Sequence, residues 1–309
     1  MDPRTGTVRY LIAAAALVLA GAASSAARDR LQALIWTAPG AERAVLLRQP
    51  AACLDPAADG TEVSYGRALF NAPQLLGGQA ARAGISCASC HANGRRSAAF
   101  SLDGVSGKPG TADVSASFFN LVRANGQFDP KPIPDLAVPG KVSRDRAAQE
   151  LEHFTRGLIV EEFAGREPAQ GELAAVSAYV RALRPCSDER EQPRGLAADL
   201  GLVRETIDAA ARRTVVGDNA GAALLASAAR FRLGLIEERY VGPEFIAERK
   251  QLLAASRALQ PVGKATAPSA AAFRLWLARF ERETVPRLIR GERRSLYNTR
   301  RVERWLAGR

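Results

Sequence analysis

Four cysteines and two histidines are all that this 309-residue chain holds. Three of those six stand together in the stretch ISCASCHANGR, residues 85–95. Cys87 and Cys90 lie three positions apart and His91 follows at once. Two thiols one helical turn apart, with an imidazole beside the second, suit covalent capture of a porphyrin. Each thiol can add to one vinyl side chain while His91 reaches the iron from the proximal side. The motif occurs once, so one covalently held haem c is expected. A thioredoxin-type dithiol and a zinc half-site are the competing uses of such a pair. The first needs the strand–helix setting of an α/β domain, of which the sequence gives no sign. The second needs further ligands, and only His153, Cys53 and Cys186 remain.

The chain opens with Arg4 and Arg9 before an apolar run from Leu11 to Ala23, then the small residues Ser24 to Ala27. A run of roughly 13 apolar residues falls short of the ~20 needed to span a bilayer and fits an export signal over residues 1–27. Export predicts a periplasmic protein, with an uncleaved membrane anchor as the alternative. In an oxidising compartment Cys53 and Cys186 can persist as a disulfide, leaving Cys87 and Cys90 for other chemistry. Cys53 precedes the motif-bearing segment and Cys186 follows its last helix, so the bond would close that segment like a clasp.

Low aromatic content (6%) with abundant alanine and arginine favours helices over sheets. Residues 28–60 read as an N-terminal extension with a short helix in DRLQALIWTA. From residue 61 the texture changes. YGRALF reads as a helix capped by Ser64. Residues 101–145 are rich in Gly, Pro, Ser and Asp and should be loop, broken by a short helix around SASFFNLVRA; so long a tract is expected to wrap around something. Ser143 is positioned to cap DRAAQELEHFTRGLIVEEF and Gly165 to end it. Leu173, Val176, Val180 and Leu183 share one face of a helix stopped by Pro185. Beyond Cys186 come further amphipathic segments. Leu196, Leu200, Val203 and Ile207 mark the first, Asp218 starts the second, and Pro243 opens a third with Ile246 and Leu253. Ser269 caps a fourth through Phe273, Trp276, Leu277 and Phe280, and a last helix carries Leu296, Val302 and Trp305.

The thirty residues YGRALFNAPQLLGGQAARAGISCASCHANG, 65–94, combine a G-R-x-L-F helix, a short loop and I-S-C-x-x-C-H. This pattern resembles the first haem domain of bacterial dihaem cytochrome c peroxidases and their MauG relatives, and extends loosely over about 120 residues. The resemblance implies haem attachment by Cys87 and Cys90 and proximal ligation by His91. With the helical segments read above, the expected architecture is all-α: a monohaem cytochrome c-like domain over residues 61–186, as the resemblance implies, then a helical basic module over 187–309. The family's second C-x-x-C-H domain is missing here, residues 92–152 contain no histidine, and the only methionine is Met1.

The sixth iron position therefore decides the function. Ligation by His153 would give a saturated bis-histidine haem that carries electrons. Water, a weaker ligand such as lysine, or an open position would admit peroxide or a gas. A peroxidase would also need a distal acid/base group. Glu161, Glu162 and Glu167 lie in the stretch that could supply it, whereas Asp103, Asp113 and Asp129 read as turn formers. The expected function is an exported electron-transfer cytochrome; the alternatives are a peroxidase-like enzyme fed by an external donor, and a haem sensor. The formal charge is +11. The tail carries Arg287, Arg290, Arg293, Arg294, Arg300, Arg301, Arg304 and Arg309, interleaved with Tyr297 and Trp305. Export disfavours a nucleic-acid partner, so an acidic redox protein or an anionic membrane surface is expected instead.

Overall fold

The computed structural model describes residues 31–58, 60–186, 191–264 and 268–308. The expected export signal and Arg309 lie outside them. The described residues are mostly helical, with fourteen α-helices and six very short strands. No described helix is long and apolar enough to cross a membrane.

The N-terminal extension folds as α1 (Gln32–Ile35), α2 (Glu42–Leu47), β1 (Arg48–Pro50) and β2 (Cys53–Leu54). There follow α3 (Gly60–Phe70), α4 (Pro73–Leu76), α5 (Gly78–Arg82) and the single-turn α6 (Cys87–Cys90). A long irregular tract holds only the ribbon of β3 (Thr111–Ala112) with β4 (Lys131–Pro132). Next come α7 (Glu150–Gly157), a π-helical turn (Leu158–Glu162), α8 (Gln170–Ala182), β5 (Leu183–Arg184) and β6 (Glu191–Pro193). The remaining helices are α9 (Leu196–Val215), α10 (Asn219–Glu237), α11 (Ile246–Lys264), α12 (Ala270–Glu283), α13 (Val285–Glu292) and α14 (Thr299–Ala307).

Helices α3 and α8 pack against each other at very short range because α3 has no side chain at Gly66. A Cβ there would stand 1.8 Å from the Ala175 carbonyl oxygen. The approach buries Leu69, Phe70, Val176, Tyr179 and Val180, and Phe70 meets Tyr179 edge-on at 5.2 Å. Helix α9 lies on α3, α10 on α9, and α11 on α10. One apolar core consequently runs from Trp36 through the motif-bearing segment to Leu288. In α9 the residues Leu196, Leu200, Val203 and Ile207 are all buried, as their spacing predicts.

Two antiparallel ribbons stitch the extension to the segment after α8: β1 with β6, and β2 with β5. Beside them Cys53 and Cys186 are joined by a disulfide, their Cα atoms 5.4 Å apart across 133 residues of sequence. The last helix, α14, returns to pack on α2, burying Leu31, Leu46, Leu296 and Val302 as a small second core.

Several local expectations need correction. Helix α3 begins at Gly60, so Ser64 lies inside it; Val63 and Tyr65 are buried, and the earlier turn lets both pack. SASFFNLVRA is a series of turns, not a helix. The Asp113 carboxylate takes up the Ser115 N–H and hydroxyl and Asn120 the Val122 N–H, and such local bonds compete with helix formation. Helix α7 starts only at Glu150, because Arg181 draws the Ser143 and Asp145 carbonyls to itself. Ile246 and Leu253 are exposed, while Phe245, Leu252 and Leu259 are buried. The last expected helix divides around buried Leu296, whose N–H donates to the Arg239 carbonyl at 2.8 Å. The predicted caps at Asp218 and Ser269 do form, accepting from Gly221 N at 2.8 Å and Ala272 N at 3.1 Å.

Two predictions follow from this packing. Gly66→Ala should destabilise the protein by about 3 kcal/mol, since the new methyl meets backbone that cannot yield; urea denaturation would measure it, and a loss near zero would contradict the close approach. The second concerns Glu238, which accepts the Gln32 N–H at 2.7 Å. Burial raises its carboxyl from the ordinary 4.5 to about 7. The native state then keeps a proton that the unfolded chain releases between those values, so stability falls as pH rises through that window. Glu238→Gln keeps the acceptor and removes the dependence. It should match the wild type below pH ~4.5 and exceed it by about 2 kcal/mol at pH ~8, read from urea curves at both values.

Candidate cofactor site

The capture turn is set by what precedes it. Gly84 turns the chain with φ +72°, and the N–H of buried Ile85 donates to Ala80 O at 2.8 Å. The Ser86 N–H then donates to Ser89 Oγ at 3.1 Å, closing the first turn of α6. The turn is sealed by the His91 N–H on Cys87 O at 2.8 Å. Cys87 and Cys90 are free, one turn apart, and each retains some exposed surface. Protein atoms nonetheless crowd both thiols, and burial pushes each up to about 12. A reactive dithiol requires a thiolate at neutral pH, so these two are poorly suited to that role. The residues before α6 are coil, without the leading strand of a thioredoxin-type site. Among the described residues no three His, Cys, Asp or Glu side chains group as metal ligands. A porphyrin brings four nitrogens of its own and asks the protein for only one or two.

His91 leaves the helix with φ −123° and ψ 66°. Its Nδ1 lies 3.1 Å from the Pro134 carbonyl oxygen. A carbonyl can only accept, so Nδ1 carries the proton and Nε2 is left with its lone pair. This is the arrangement by which a ligating histidine is oriented and made more basic. Burial also lowers the imidazole to about 4, outweighing the Pro134 bond and the nearby Asp135. The ring therefore stays neutral and able to ligate at any ordinary pH. Phe70, at the end of α3, lies 6.5 Å from it, centroid to centroid.

Pro134 is held in turn. Arg95 Nε donates to both Asp135 carboxylate oxygens at 2.8 Å, and the Leu136 N–H donates to Gly94 O at 3.1 Å. Arg95 Nη1 also reaches Cys186 Sγ at 3.7 Å, which places the disulfide directly behind the site. Gly94 has φ +75°, and a Cβ there would collide with Leu183 Cδ1 at 2.2 Å. Arg144 pins the far end of the loop, donating to Val180 O at 2.7 Å and Leu136 O at 3.1 Å.

His153 sits exposed on α7, and its ring has no hydrogen-bonding partner among the described residues. Its neighbour Phe154 is 63% exposed. The loop tract presents Leu121, Val122 and Phe128 to solvent as well, while Phe119 anchors it edge-on to Phe163 at 4.8 Å. The three glutamates are all paired: Glu161 and Glu162 with Arg123 at 3.5 and 3.1 Å, and Glu167 with Arg156 through two bonds of 2.7 Å. Asp113 is a turn former. It is buried, accepts from Ser115, and also takes the Asp129 N–H at 3.4 Å. Asp129 pairs with Lys131 at 3.0 Å, and Asp103 is exposed in a turn.

Sequence reasoning missed Pro134, Asp135 and Arg95. The only signal was an arginine four places after His91 and a proline-rich tract forty residues on. No family model, curated protein or solved structure matches the chain. The case for the site thus rests on its own residues.

The Arg95–Asp135 pair is mostly shielded, with 17% and 24% of the two side chains exposed. Removing Arg95 strands a carboxylate, and Arg95→Met should cost about 2 kcal/mol. The exposed Arg123 provides the comparison, because Arg123→Met should cost under ~1 kcal/mol. Equal losses in urea denaturation would contradict the special standing of the Arg95 pair.

Proposed function

We propose that this protein is an exported c-type cytochrome that carries single electrons between external partners. The observation that carries the reading is the His91 Nδ1–Pro134 O hydrogen bond, which fixes the tautomer and aims the ligating nitrogen. Cys87 and Cys90 would hold the porphyrin through two thioethers. His91 would bind the iron, and His153 is the candidate for a second ligand. Bound haem supplies a one-electron iron couple; the chain orients it and limits water around it. The exposed apolar residues of the loop tract, with Phe154, suit the periphery of such a group.

Electron carriage is preferred to peroxide reduction because Glu161 and Glu167 pair with exposed arginines; the second reading, peroxide reduction, would use Glu162, whose Oε1 meets Arg123 while its buried Oε2 has no hydrogen-bond partner among the described residues. The net charge of +11 and the exposed Arg290, Arg293, Arg300 and Arg304 favour an acidic redox partner or an anionic membrane surface. The expected setting is the periplasm.

The test is spectroscopic. Protein exported in a host that attaches haem should gain the mass of one haem and lose it entirely in the Cys87→Ala/Cys90→Ala double variant. The oxidised protein should give a low-spin electron paramagnetic resonance spectrum that turns high-spin in His153→Ala. A spectrum unmoved by that substitution removes His153 from the iron. Rapid peroxide turnover with a reduced cytochrome donor would replace the carrier by the peroxidase.

A further inference from the structure

The three parts of the chain meet around a second cavity, of about 370 Å³. The N-terminal extension supplies Trp36 and Arg48 to its wall, α3 supplies Arg67, the link before α9 supplies Arg194, and α10 supplies Phe231 and Arg232. Ala88 and Ser89 of the capture turn also line it, but Cys87, Cys90 and His91 are not among its lining residues. It is therefore a different site from the cofactor site. Its walls are fixed by hydrogen bonds between the parts: Asn93 Nδ2 to Pro50 O at 2.8 Å, Gln32 Nε2 to Ala83 O at 2.5 Å, and Arg232 to Asn71 Oδ1 at 3.0 Å.

Charge is unbalanced here. Arg48, Arg67, Arg96, Arg194 and Arg232 line the cavity against only Glu191 and Asp199. Both carboxylates are already engaged: Glu191 with Arg48 at 2.9 Å, and Asp199 with Arg232 at 3.3 Å and the Tyr297 hydroxyl at 2.7 Å. Arg67 has one bond to Glu205 at 3.1 Å and leaves its buried Nε without a partner. Arg194 is more exposed to this imbalance. Its Nε is buried, and its guanidinium has no hydrogen bond or ion pair among the described residues. Burial, then the nearby Arg239, lowers it to about 10, so it remains charged at neutral pH. Asp199 attracts it but is already shared between Arg232 and Tyr297, and a shielded cation so weakly compensated is costly. Trp36, Phe100 and Phe231 give the same cavity apolar wall, and its volume suits a small molecule, not a lone ion.

We propose that this cavity binds a small organic anion, its carboxylate or phosphate head on Arg194 and Arg67 and its apolar body against Trp36 and Phe231. The three parts of the chain would then be joined by a ligand as well as by packing. The proposal is independent of the haem reading.

Calorimetric titration of the purified, exported protein tests it, with four probes: phenyl phosphate, benzoate, inorganic phosphate and the neutral benzyl alcohol. At least one of the first two should bind, and which one does identifies the head group. Arg194→Met should weaken that binding at least tenfold, while the unliganded variant melts higher than the wild type because a weakly compensated charge has gone. A purely structural Arg194 would instead melt lower on substitution. Arg96→Gln, at an exposed position that folding does not need, should weaken binding by a smaller factor. Failure of both aromatic anions to bind overturns the proposal, as does undiminished affinity in Arg194→Met. Equal binding of benzyl alcohol removes the requirement for charge, and equally tight inorganic phosphate removes the organic body.

Discussion

The surroundings of the candidate cofactor site hang from one close contact, the backbone of α8 at Ala175 lying where a side chain on Gly66 would be. Helix α3 ends at Phe70, facing His91, and α8 ends beside Leu183, which fills the space under Gly94. Beyond Leu183 the chain runs directly to Cys186 and its disulfide. The same α3 offers its outer face to α9, on which the C-terminal helices are built. One absent methyl thus sets the distance between the two walls of the site and the footing for the other half of the molecule. Interiors packed at crystal-like density transmit such displacements instead of absorbing them.

The C-terminal helices were legible because what makes them is local. The spacing of Leu196, Leu200, Val203 and Ile207, and the caps at Asp218 and Ser269, involve residues within a few turns of one another. The Cys87–Cys90–His91 turn was legible for the same reason. The loop character of residues 101–145 was legible as well, but their course was not, because it is imposed from afar: Arg181 collects the Ser143 and Asp145 carbonyls from α8, and Arg95 reaches forty residues ahead to Asp135. Ile246 and Leu253 were misplaced because a one-residue phase shift puts Phe245 and Leu252 inside, and periodicity alone does not settle phase. Pro134 acts through a backbone carbonyl, which any residue possesses, so no side-chain pattern could have revealed it.

The arginine-rich composition has an internal use as well as an external one. Arg144, Arg181 and Arg239 each reach main-chain carbonyls across long stretches of sequence. Arg239 is itself buried and lies 5.5 Å from the Tyr297 ring centroid. The planar, forked guanidinium can satisfy several carbonyls at once, which a lysine ammonium on its single stem does less well. High positive charge in this chain is therefore partly a means of ordering irregular backbone, and only its remainder is left at the surface.

The disulfide has a quieter effect where the chain's two described ends meet. Helices α2 and α14 meet through contacts such as Arg43 with Glu303, 260 residues apart. The Cys53–Cys186 bond bypasses 133 of those residues, so the path that must close is roughly halved. Loop entropy grows only logarithmically, and halving the path makes closure easier by about 0.6 kcal/mol. The cross-link thus holds the motif-bearing segment together directly, yet leaves the meeting of α2 and α14 mainly to the small core of Leu31, Leu46, Leu296 and Val302.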